Sequence, residues 1–287
     1  GALLILLLRG NDESADRKHF DAQRTSGNPD DLRGKILRIA PKSDGTYAIP
    51  SDNLYADGKG GKPEIFALGV RNPFRMAIDP KDGALYWGET GPDAKGESAT
   101  QGPRGYDEIN RATKAGNFGW PYCIADNKPY ENYDFTTKKT SGKFDCAKLK
   151  NDSPNGSKKD LPAAEPAMIW YPYGKSTDFP AIPEQNGRTA MVGVVYRTND
   201  GARAYPEYFD GKLIWWDWTR NRVWETTVDE TNGKAVKINT FATGLEWASP
   251  IDMAVGADGA IYMLEWGKGG FNAKADGRLV RIEFSGK

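Results

Sequence analysis

The chain has 287 residues, of which 38% are apolar and 11% aromatic, enough to bury a large core in one big β domain or two ordinary domains. Its 39 basic residues balance 39 acidic residues, and this neutrality excludes an overall electrostatic attraction to nucleic acid or to an anionic membrane. The longest apolar run, residues 2–8, is far shorter than the roughly 20 residues that a membrane-spanning helix requires, so we expect a buried strand there.

Short apolar runs separated by turn dipeptides predict many short strands rather than long helices. Residues 76–88, MAIDPKDGALYWG, and residues 253–264, MAVGADGAIYML, each read as an apolar strand, an Asp-Gly turn and a second apolar strand. Residues 1–5, GALLI, match the second half of that unit, so residue 1 falls on a turn. A fourth copy, residues 208–216, carries its turn at Asp210 and Gly211.

Each of these hairpins is followed by a third strand-like run, and three of them by a fourth. The third runs are 35–39, 106–110, 222–228 and 278–284, and the fourth runs are 64–68, 167–171 and 237–241. Repeated units of four strands predict the blades of a β-propeller, because each blade leaves an apolar face that only a neighbouring blade can cover. We therefore predict an all-β fold, a β-propeller of four-stranded blades, with a β-sandwich carrying long loops as the alternative.

The first unit lacks its opening strand and the last lacks its closing strand. We expect a single propeller domain over residues 1–287, with about four blades from the C-terminal part of a propeller. A closed ring pairs its first and last strands, so upstream blades or a partner chain are expected to close it. Residues 121–166, rich in Asn, Lys, Pro and Tyr, are expected to form an ordered loop inserted between strands.

The two cysteines of the chain, Cys123 and Cys146, both lie in this inserted loop. A disulfide between them would close a loop of about two dozen residues and stabilise the fold by roughly 3 kcal/mol. Disulfides form in oxidising compartments, so this interpretation predicts a secreted or periplasmic protein. Two unpaired thiols are the alternative.

Ligand sites of propellers lie over the central channel, on loops that join the strands of successive blades. Arg71 and Asn72, made rigid by Pro73, lie at such a junction. A guanidinium beside an amide suits an anionic, planar ligand. The alternative is that Arg71 pairs with an acidic neighbour and caps a turn.

The next junction combines Gly-Pro turns with carboxylates. Backbone carbonyls and carboxylates together supply the oxygen-rich shell that Ca²⁺ prefers, although acidic loop residues also act as solvated side chains or turn caps. The candidate acidic residues are Glu89, Asp93, Asp107 and Glu108.

Several motifs in this order and spacing resemble the glucose/sorbosone dehydrogenase family, and the resemblance extends over nearly the whole chain. They are the 68–75 run LGVRNPFR, the Gly-Pro turns, the 106–110 run YDEIN and the 116–121 run GNFGWP. The similarity is greatest to the secreted bacterial branch, whose members are often joined to ThuA-like, carbohydrate-binding or cytochrome modules. Membership implies a six-bladed propeller that holds pyrroloquinoline quinone with Ca²⁺ and oxidises the anomeric carbon of an aldose to the lactone.

The resemblance also implies residue roles. Arg71 and Asn72 match the catalytic pair that contacts the cofactor and the substrate edge, and Asp107 matches a carboxylate near the cofactor. The backbone oxygens that bind Ca²⁺ match either Gly91 and Pro92 or Gly102 and Pro103. Further cofactor-binding candidates are Arg188, Thr189 and Arg220, with surface arginines in strand-connecting loops as the alternative.

Two positions depart from the family pattern. An arginine pair ahead of the last hairpin is replaced by Trp247, Ala248 and Ser249, which add no positive charge. The histidine that acts as general base in relatives lies upstream of residue 1, and the single histidine, His19, is expected to be a surface residue in a polar loop.

The first functional hypothesis is therefore a quinone- and calcium-dependent dehydrogenase acting on a small-molecule sugar, with a cytochrome or another electron acceptor as partner. Its general base would come from outside this chain. A non-catalytic propeller that binds carbohydrate or protein is the second hypothesis. A metal-dependent lactonase is the third, and it would need several carboxylates converging on a metal.

Overall fold

A computed structural model describes residues 3–7, 21–134, 137–153, 157–268 and 275–284. Nearly all regular structure in these ranges is β-strand, and only Glu207–Phe209 forms a short 3-10 helix. His19 lies outside the described residues. No helix in the described part of the chain is both long and apolar enough to cross a membrane.

Blade 1 is the sheet nearest the N-terminus, with the strand order β1, β2, β4, β8. The short strand β3 pairs with the outer end of β2, and β8 lies parallel to β4. The strands are β1 Leu3–Leu7, β2 Lys35–Pro41, β3 Tyr47–Ala48, β4 Ile65–Leu68 and β8 Gly116–Asn117. The strand predicted at the start of the chain is confirmed as β1, and no opening strand precedes it within the described residues.

Blades 2 and 3 are complete four-stranded antiparallel sheets. Blade 2 contains β5 Pro73–Ile78, β6 Leu85–Glu89, β7 Tyr106–Ala112 and β15 Ile169–Pro172. Blade 3 contains β16 Ala190–Val195, β17 Leu213–Asp217, β18 Arg222–Val228 and β19 Ala235–Thr240.

Blade 4 has three strands in the described residues, β20 Pro250–Val255, β21 Ile261–Glu265 and β22 Arg278–Ile282. The predicted β-propeller of four-stranded blades is therefore confirmed, and within the described residues blade 4 contains three of its strands.

The predicted Asp-Gly turns are confirmed in blades 2 and 4. Gly83 and Gly259 both adopt positive φ, 74° and 82°, a conformation that glycine reaches without steric cost. In blade 3 the expected hairpin differs, because the opening strand β16 already ends at Val195. The residues before Asp210 instead form the 3-10 helix. Aromatic rings pack around it: the ring centres of Tyr205 and Phe209 are 5.1 Å apart, and each lies 5.0 Å from a further tyrosine ring.

The core lies between the blades, where alternating strand residues of neighbouring sheets meet. Trp215 and Trp224 stack with ring centres 4.5 Å apart in the layer between blades 2 and 3. Trp216 is fully buried with Met253 in the layer between blades 3 and 4. These aromatic residues therefore hold the blades together rather than face a ligand.

Three two-stranded ribbons lie between β8 and β15. They are β9 Cys123–Ile124 with β10 Lys128–Pro129, β11 Glu131–Asp134 with β12 Lys139–Lys143, and β13 Lys150–Asn151 with β14 Lys159–Asp160. The predicted disulfide between Cys123 and Cys146 is present. The single domain over 1–287 and the 121–166 insertion boundaries stay predictions.

Candidate functional site

The candidate site residues lie on loops at one end of blades 2 and 3. At this end β6 and β17 finish, and β5 and β16 begin, since Pro73 pairs with Glu89 and Ala190 pairs with Asp217. The loops that enter β5 and β16 and the loops that leave β6 and β17 therefore meet there. The residues concerned are Arg71, Asn72, Gly91, Pro92, Arg188, Thr189 and Arg220.

Arg71 and Asn72 are both half-buried in the loop that enters β5. The Arg71 backbone amide donates to the buried carboxylate of Glu89, and its Nη1 donates to the Thr90 carbonyl at 2.8 Å. The Asn72 carbonyl in turn accepts the Thr90 amide at 3.2 Å. The Arg71 guanidinium also lies over Trp120, 5.7 Å from the ring centre, so a backbone carbonyl and an aromatic ring orient it.

Asp107 at the start of β7 is fully buried and joins blade 2 to blade 3. Its Oδ1 accepts the Gly91 amide at 3.0 Å and the Arg188 Nη1, and its Oδ2 accepts the Ala190 amide at 2.8 Å. Burial raises the pKa of Asp107, and the guanidinium of Arg188 opposes that rise. The carboxylate therefore fixes two loops against one strand.

Gly91 and Gly105 are required by close packing in the loop that leaves β6. A Cβ on Gly91 would lie 1.8 Å from the Tyr106 carbonyl oxygen, and a Cβ on Gly105 would lie 1.8 Å from the Pro92 carbonyl oxygen. No side chain larger than hydrogen fits at either position unless the backbone moves. The loop is thereby held against the start of β7.

Of the two Gly-Pro turns, only the first belongs to the bonded group around Asp107. Gly102 makes a separate two-residue bridge with Ser98 at 2.8 Å, and a Cβ there would meet the backbone of Tyr130 at 2.9 Å. Pro103 follows Gly102 in that turn.

Arg188 is buried in the loop that enters β16. Its Nη1 donates to Asp107 and its Nη2 to the Pro92 carbonyl, while the guanidinium carbon lies 4.2 Å from the ring centre of Tyr173. The Pro92 oxygen is thus already occupied by a cationic donor. A Ca²⁺ ion fits poorly at this carbonyl, because a like charge holds the position that the ion would need.

Arg220 is equally buried, and all three of its guanidinium nitrogens donate to backbone carbonyls. Nε reaches Gly187 at 2.9 Å, Nη1 reaches Pro183 at 3.0 Å and Nη2 reaches Pro172 at 2.7 Å. Its charge is balanced by Asp217, whose Oδ2 lies 3.6 Å from Nε. Arg220 therefore fastens the loop that enters blade 3, and its predicted contact with a cofactor stays a prediction.

Thr189 is half-buried, next to Arg188 in the same loop. Its amide donates to Asp217 at 2.9 Å, and its hydroxyl lies 2.7 Å from the Thr219 hydroxyl. Asp217 also accepts the Tyr171 hydroxyl at 2.7 Å, and burial together with the charge of Asp107 raises the pKa of Asp217 to about 6.

A buried carboxylate ends the second strand of blades 2, 3 and 4 and was not recognised as a repeat from the sequence. In each blade it accepts a backbone amide from the loop that enters the first strand. The carboxylates are Glu89, Asp217 and Glu265, and the amides are those of Arg71, Thr189 and Ala248. The sequence signal was available, because the three strands read LYWGE, LIWWD and IYMLE.

Glu89 and Glu108 form a buried acidic pair directly across β6 and β7. Burial raises the pKa of both carboxyls, and the negative charge of Glu89 raises that of Glu108 further. Glu108 accepts the Ala125 amide at 2.6 Å and the Asn110 side-chain amide at 3.1 Å. Glu89 accepts the Arg71 backbone amide, and the positive charge of Arg71 favours the ionised form of Glu89.

The loop with Trp247, Ala248 and Ser249 borders an open cavity of about 520 Å³. Arg222 and Lys268, both exposed, line the same cavity. Sequence reasoning found the loss of positive charge in this loop but not these two nearby cations. Arg222 begins β18 and Lys268 lies in the segment after β21, so no local pattern connects them.

Residues 12–151 match the model of the family described as Glucose / Sorbosone dehydrogenase. Over these residues the chain is similar to the glucose/sorbosone dehydrogenase family. Among curated relatives, the chain is 37% identical over 97 residues to "Aldose sugar dehydrogenase YliI" of Escherichia coli (strain K12), which covers 34% of this chain and 22% of the relative. It is 36% identical over 111 residues to "Quinoprotein glucose dehydrogenase B" of Acinetobacter calcoaceticus, and the match covers 37% of this chain and 20% of the relative.

Solved structures extend the similarity in fold along nearly the whole chain. The soluble aldose sugar dehydrogenase from Escherichia coli in the apo-form superposes with a TM-score of 0.55 at 23% identity, covering 98% of this chain and 60% of that one. The PQQ-bound aldose sugar dehydrogenase from Streptomyces coelicolor superposes with a TM-score of 0.51 at 18% identity, and the match covers 90% of this chain and 54% of that one. This chain therefore spans about three fifths of such structures.

Proposed function

We propose that this chain forms the cofactor-facing part of a quinone-dependent sugar dehydrogenase that oxidises an aldose at the anomeric carbon. The observation that carries the proposal is the position of the consecutive residues Thr90 and Gly91 at one end of the propeller, where Thr90 bonds to Arg71 and Asn72 and Gly91 bonds to Asp107. Support also comes from the family match and from relatives named as sugar dehydrogenases.

The ligand proposed here is pyrroloquinoline quinone, a planar tricarboxylate. When bound, it would supply an acceptor for the hydride that leaves the sugar. Arg71 and Asn72 would hold its charged edge, because Arg71 is half-buried at this end and lies against Trp120. Asp107 acts as a positioning residue, since its oxygens hold the loops that carry the contacts.

The remaining positive charge is proposed to come from positions that the family pattern does not mark. Arg220 gives all three guanidinium nitrogens, and Arg188 two of its three, to protein acceptors. Arg222 and Lys268 are exposed beside Trp247 on the neighbouring cavity. Lys268 is paired at 3.7 Å with the exposed Glu246 of the same cavity, so we propose that Arg222 compensates for the arginine pair that this chain lacks, by long-range attraction of an anionic ligand.

A non-catalytic propeller that binds carbohydrate or protein through the same end is the second candidate. It is favoured by one observation, the engagement of the Arg188 and Arg220 guanidinium groups with backbone carbonyls. For the metal-dependent lactonase, no cluster of three or more potential His, Cys, Asp or Glu ligands occurs in the described part of the chain. That hypothesis has no support from the geometry.

The dehydrogenase and the binding propeller are separated by a dye-linked assay on the full-length protein that carries this chain. We expect aldose-dependent dye reduction that requires added quinone and is absent without it. Sugar binding by calorimetry without any quinone-dependent reduction would favour the binding propeller instead.

The partners proposed with this function are a small-molecule sugar and a cytochrome or another electron acceptor. The disulfide between Cys123 and Cys146 supports a secreted or periplasmic location, because such bonds persist in oxidising compartments. Upstream blades or a partner chain are proposed to close the ring and to bring the general base.

A further inference from the structure

The guanidinium of Arg188 lies in a cradle that two glycines leave open. A Cβ on Gly105 would lie 2.6 Å from its Nη2, and a Cβ on Gly91 would lie 3.1 Å from its Nη1. Tyr173 covers one face of the guanidinium, at 4.2 Å from the ring centre. The side chains of Arg188 and Asp107 are both fully shielded from solvent.

Inside this cradle the oxygens that a metal ion would use are already taken. Nη2 donates to the Pro92 carbonyl, and Nη1 donates to Oδ1 of Asp107. The same Oδ1 also accepts the Gly91 amide, and Oδ2 accepts the Ala190 amide. Ca²⁺ takes 6–8 oxygen ligands, so it would have to displace the guanidinium to reach Pro92 or Asp107.

We propose that Arg188 is a built-in cation in place of Ca²⁺ at the Pro92 carbonyl, so that this loop binds no Ca²⁺ there. The positive charge of Arg188 neutralises Asp107, and a divalent ion beside it would meet like-charge repulsion in a site closed to water. The charge near the Pro92 turn is then permanent and does not depend on free Ca²⁺. The inference concerns metal binding alone, so it does not depend on the proposed oxidation of sugars.

Terbium(III), a Ca²⁺ analogue whose emission is sensitised by nearby tyrosine, tests this proposal in the full-length protein. Tyr173 lies against the Arg188 guanidinium, so emission from this site should depend on Tyr173. Four proteins are compared: wild type, Tyr173→Phe, Arg188→Met and the double variant. Circular dichroism checks that each is folded.

We expect wild type and Tyr173→Phe to give the same emission, because no terbium binds beside Tyr173. Arg188→Met should gain emission that Ca²⁺ displaces and that is lost in the double variant. Tyr173-dependent emission that Ca²⁺ displaces in the wild-type protein would overturn the proposal. The comparison of wild type with Tyr173→Phe tests the proposal even if Arg188→Met does not fold. A folded Arg188→Met protein that still binds no terbium at this position would overturn it too.

Discussion

Asp107 and Arg188, which are 81 residues apart in the sequence and belong to neighbouring blades, form an ion pair that is completely shielded from solvent. The pair joins the start of β7 to the loop that enters β16. Arg188 also holds the Pro92 carbonyl, so three chain segments are fixed by one guanidinium. Because both charges are buried, removing either partner alone would leave the other uncompensated.

Replacing Arg71 by methionine should weaken quinone binding without unfolding the protein. A hydrogen bond between charged groups contributes about 1.5–3 kcal/mol, which corresponds to roughly a 10- to 150-fold loss of affinity. The measurement is a fluorescence titration of the full-length protein with quinone. The matched control is Arg203→Met, which removes a partly exposed pair with Glu283 in blade 4 and should leave affinity unchanged. Equal affinity for wild type and Arg71→Met would remove Arg71 from the binding site.

Replacing Glu108 by glutamine should make stability less dependent on pH. The pKa of Glu108 is raised from 4.5 to about 8 and that of Glu89 to about 7, so the folded state holds protons that the unfolded state releases. The contribution of these groups is fully present below about pH 4.5 and is lost as pH rises through about 7 to 8. Urea unfolding between pH 5 and pH 8.5 measures this decline.

The glutamine has a hydrogen-bond partner available in the fold. Asn110 Oδ1 is buried and accepts no hydrogen bond in the described structure, so it could accept one from the new amide after the Asn110 side chain rotates. The variant should be more stable than wild type at pH 8.5 and should decline less with pH. An unchanged pH profile would show that Glu108 is ionised throughout this range.

Gly91→Ala should destabilise the protein by about 1–3 kcal/mol, because the new methyl group would collide with the Tyr106 carbonyl. Gly96→Ala is the matched control in the same loop, since nothing lies within 4 Å of the position of its Cβ. Thermal unfolding of both variants gives the comparison. Similar midpoints would mean that the loop after β6 moves freely enough to accept a side chain.

Arg197→Met should cost about 3–5 kcal/mol, because it leaves the buried Asp79 without its ion-pair partner. Arg197 joins the turn after β5 to the segment before β17, through bonds to Asp79 at 2.5 and 3.0 Å and to Asp210 at 3.0 Å. Arg203→Met should cost about 0–1 kcal/mol, since Arg203 and its nearest partner Glu283 are both exposed. Chemical denaturation measures the loss of stability in both variants. Equal losses would contradict the role of Arg197 in joining these two segments.

Removing the disulfide by replacing Cys123 and Cys146 with serine should destabilise the protein by roughly 3 kcal/mol, because a loop of 23 residues is no longer closed in the unfolded chain. Denaturation of wild type with and without reductant gives the same comparison without a substitution. If neither treatment lowers the midpoint, the ribbons after β8 are held by packing alone.

Much of the fold could be predicted because its determinants are local. Gly83 and Gly259 fix hairpins through positive φ, and alternating strands such as residues 213–217 mark the layers between blades. The opening strand of blade 3 could not be found in this way, because 17 residues separate Val195 from Leu213 and aromatic packing shapes them.

The proximity of the candidate residues was easier to predict than their hydrogen bonds. The run containing Arg71 and Asn72 pointed to the junction ahead of β5, and the structure brings Gly91, Asp107 and Arg188 beside it. What Arg188 and Arg220 donate to depends on carbonyls contributed by distant loops, up to 96 residues away. No local pattern carries that information.

The central claim is that this end of the propeller holds a quinone that an aldose can reduce. Anaerobic mixing of the quinone-loaded full-length protein with an excess of aldose, followed by absorbance of the quinone, tests it most directly. We predict a single-turnover bleaching of the quinone absorbance that is strongly reduced in Arg71→Met. Bound quinone whose spectrum does not change with any aldose would contradict the account.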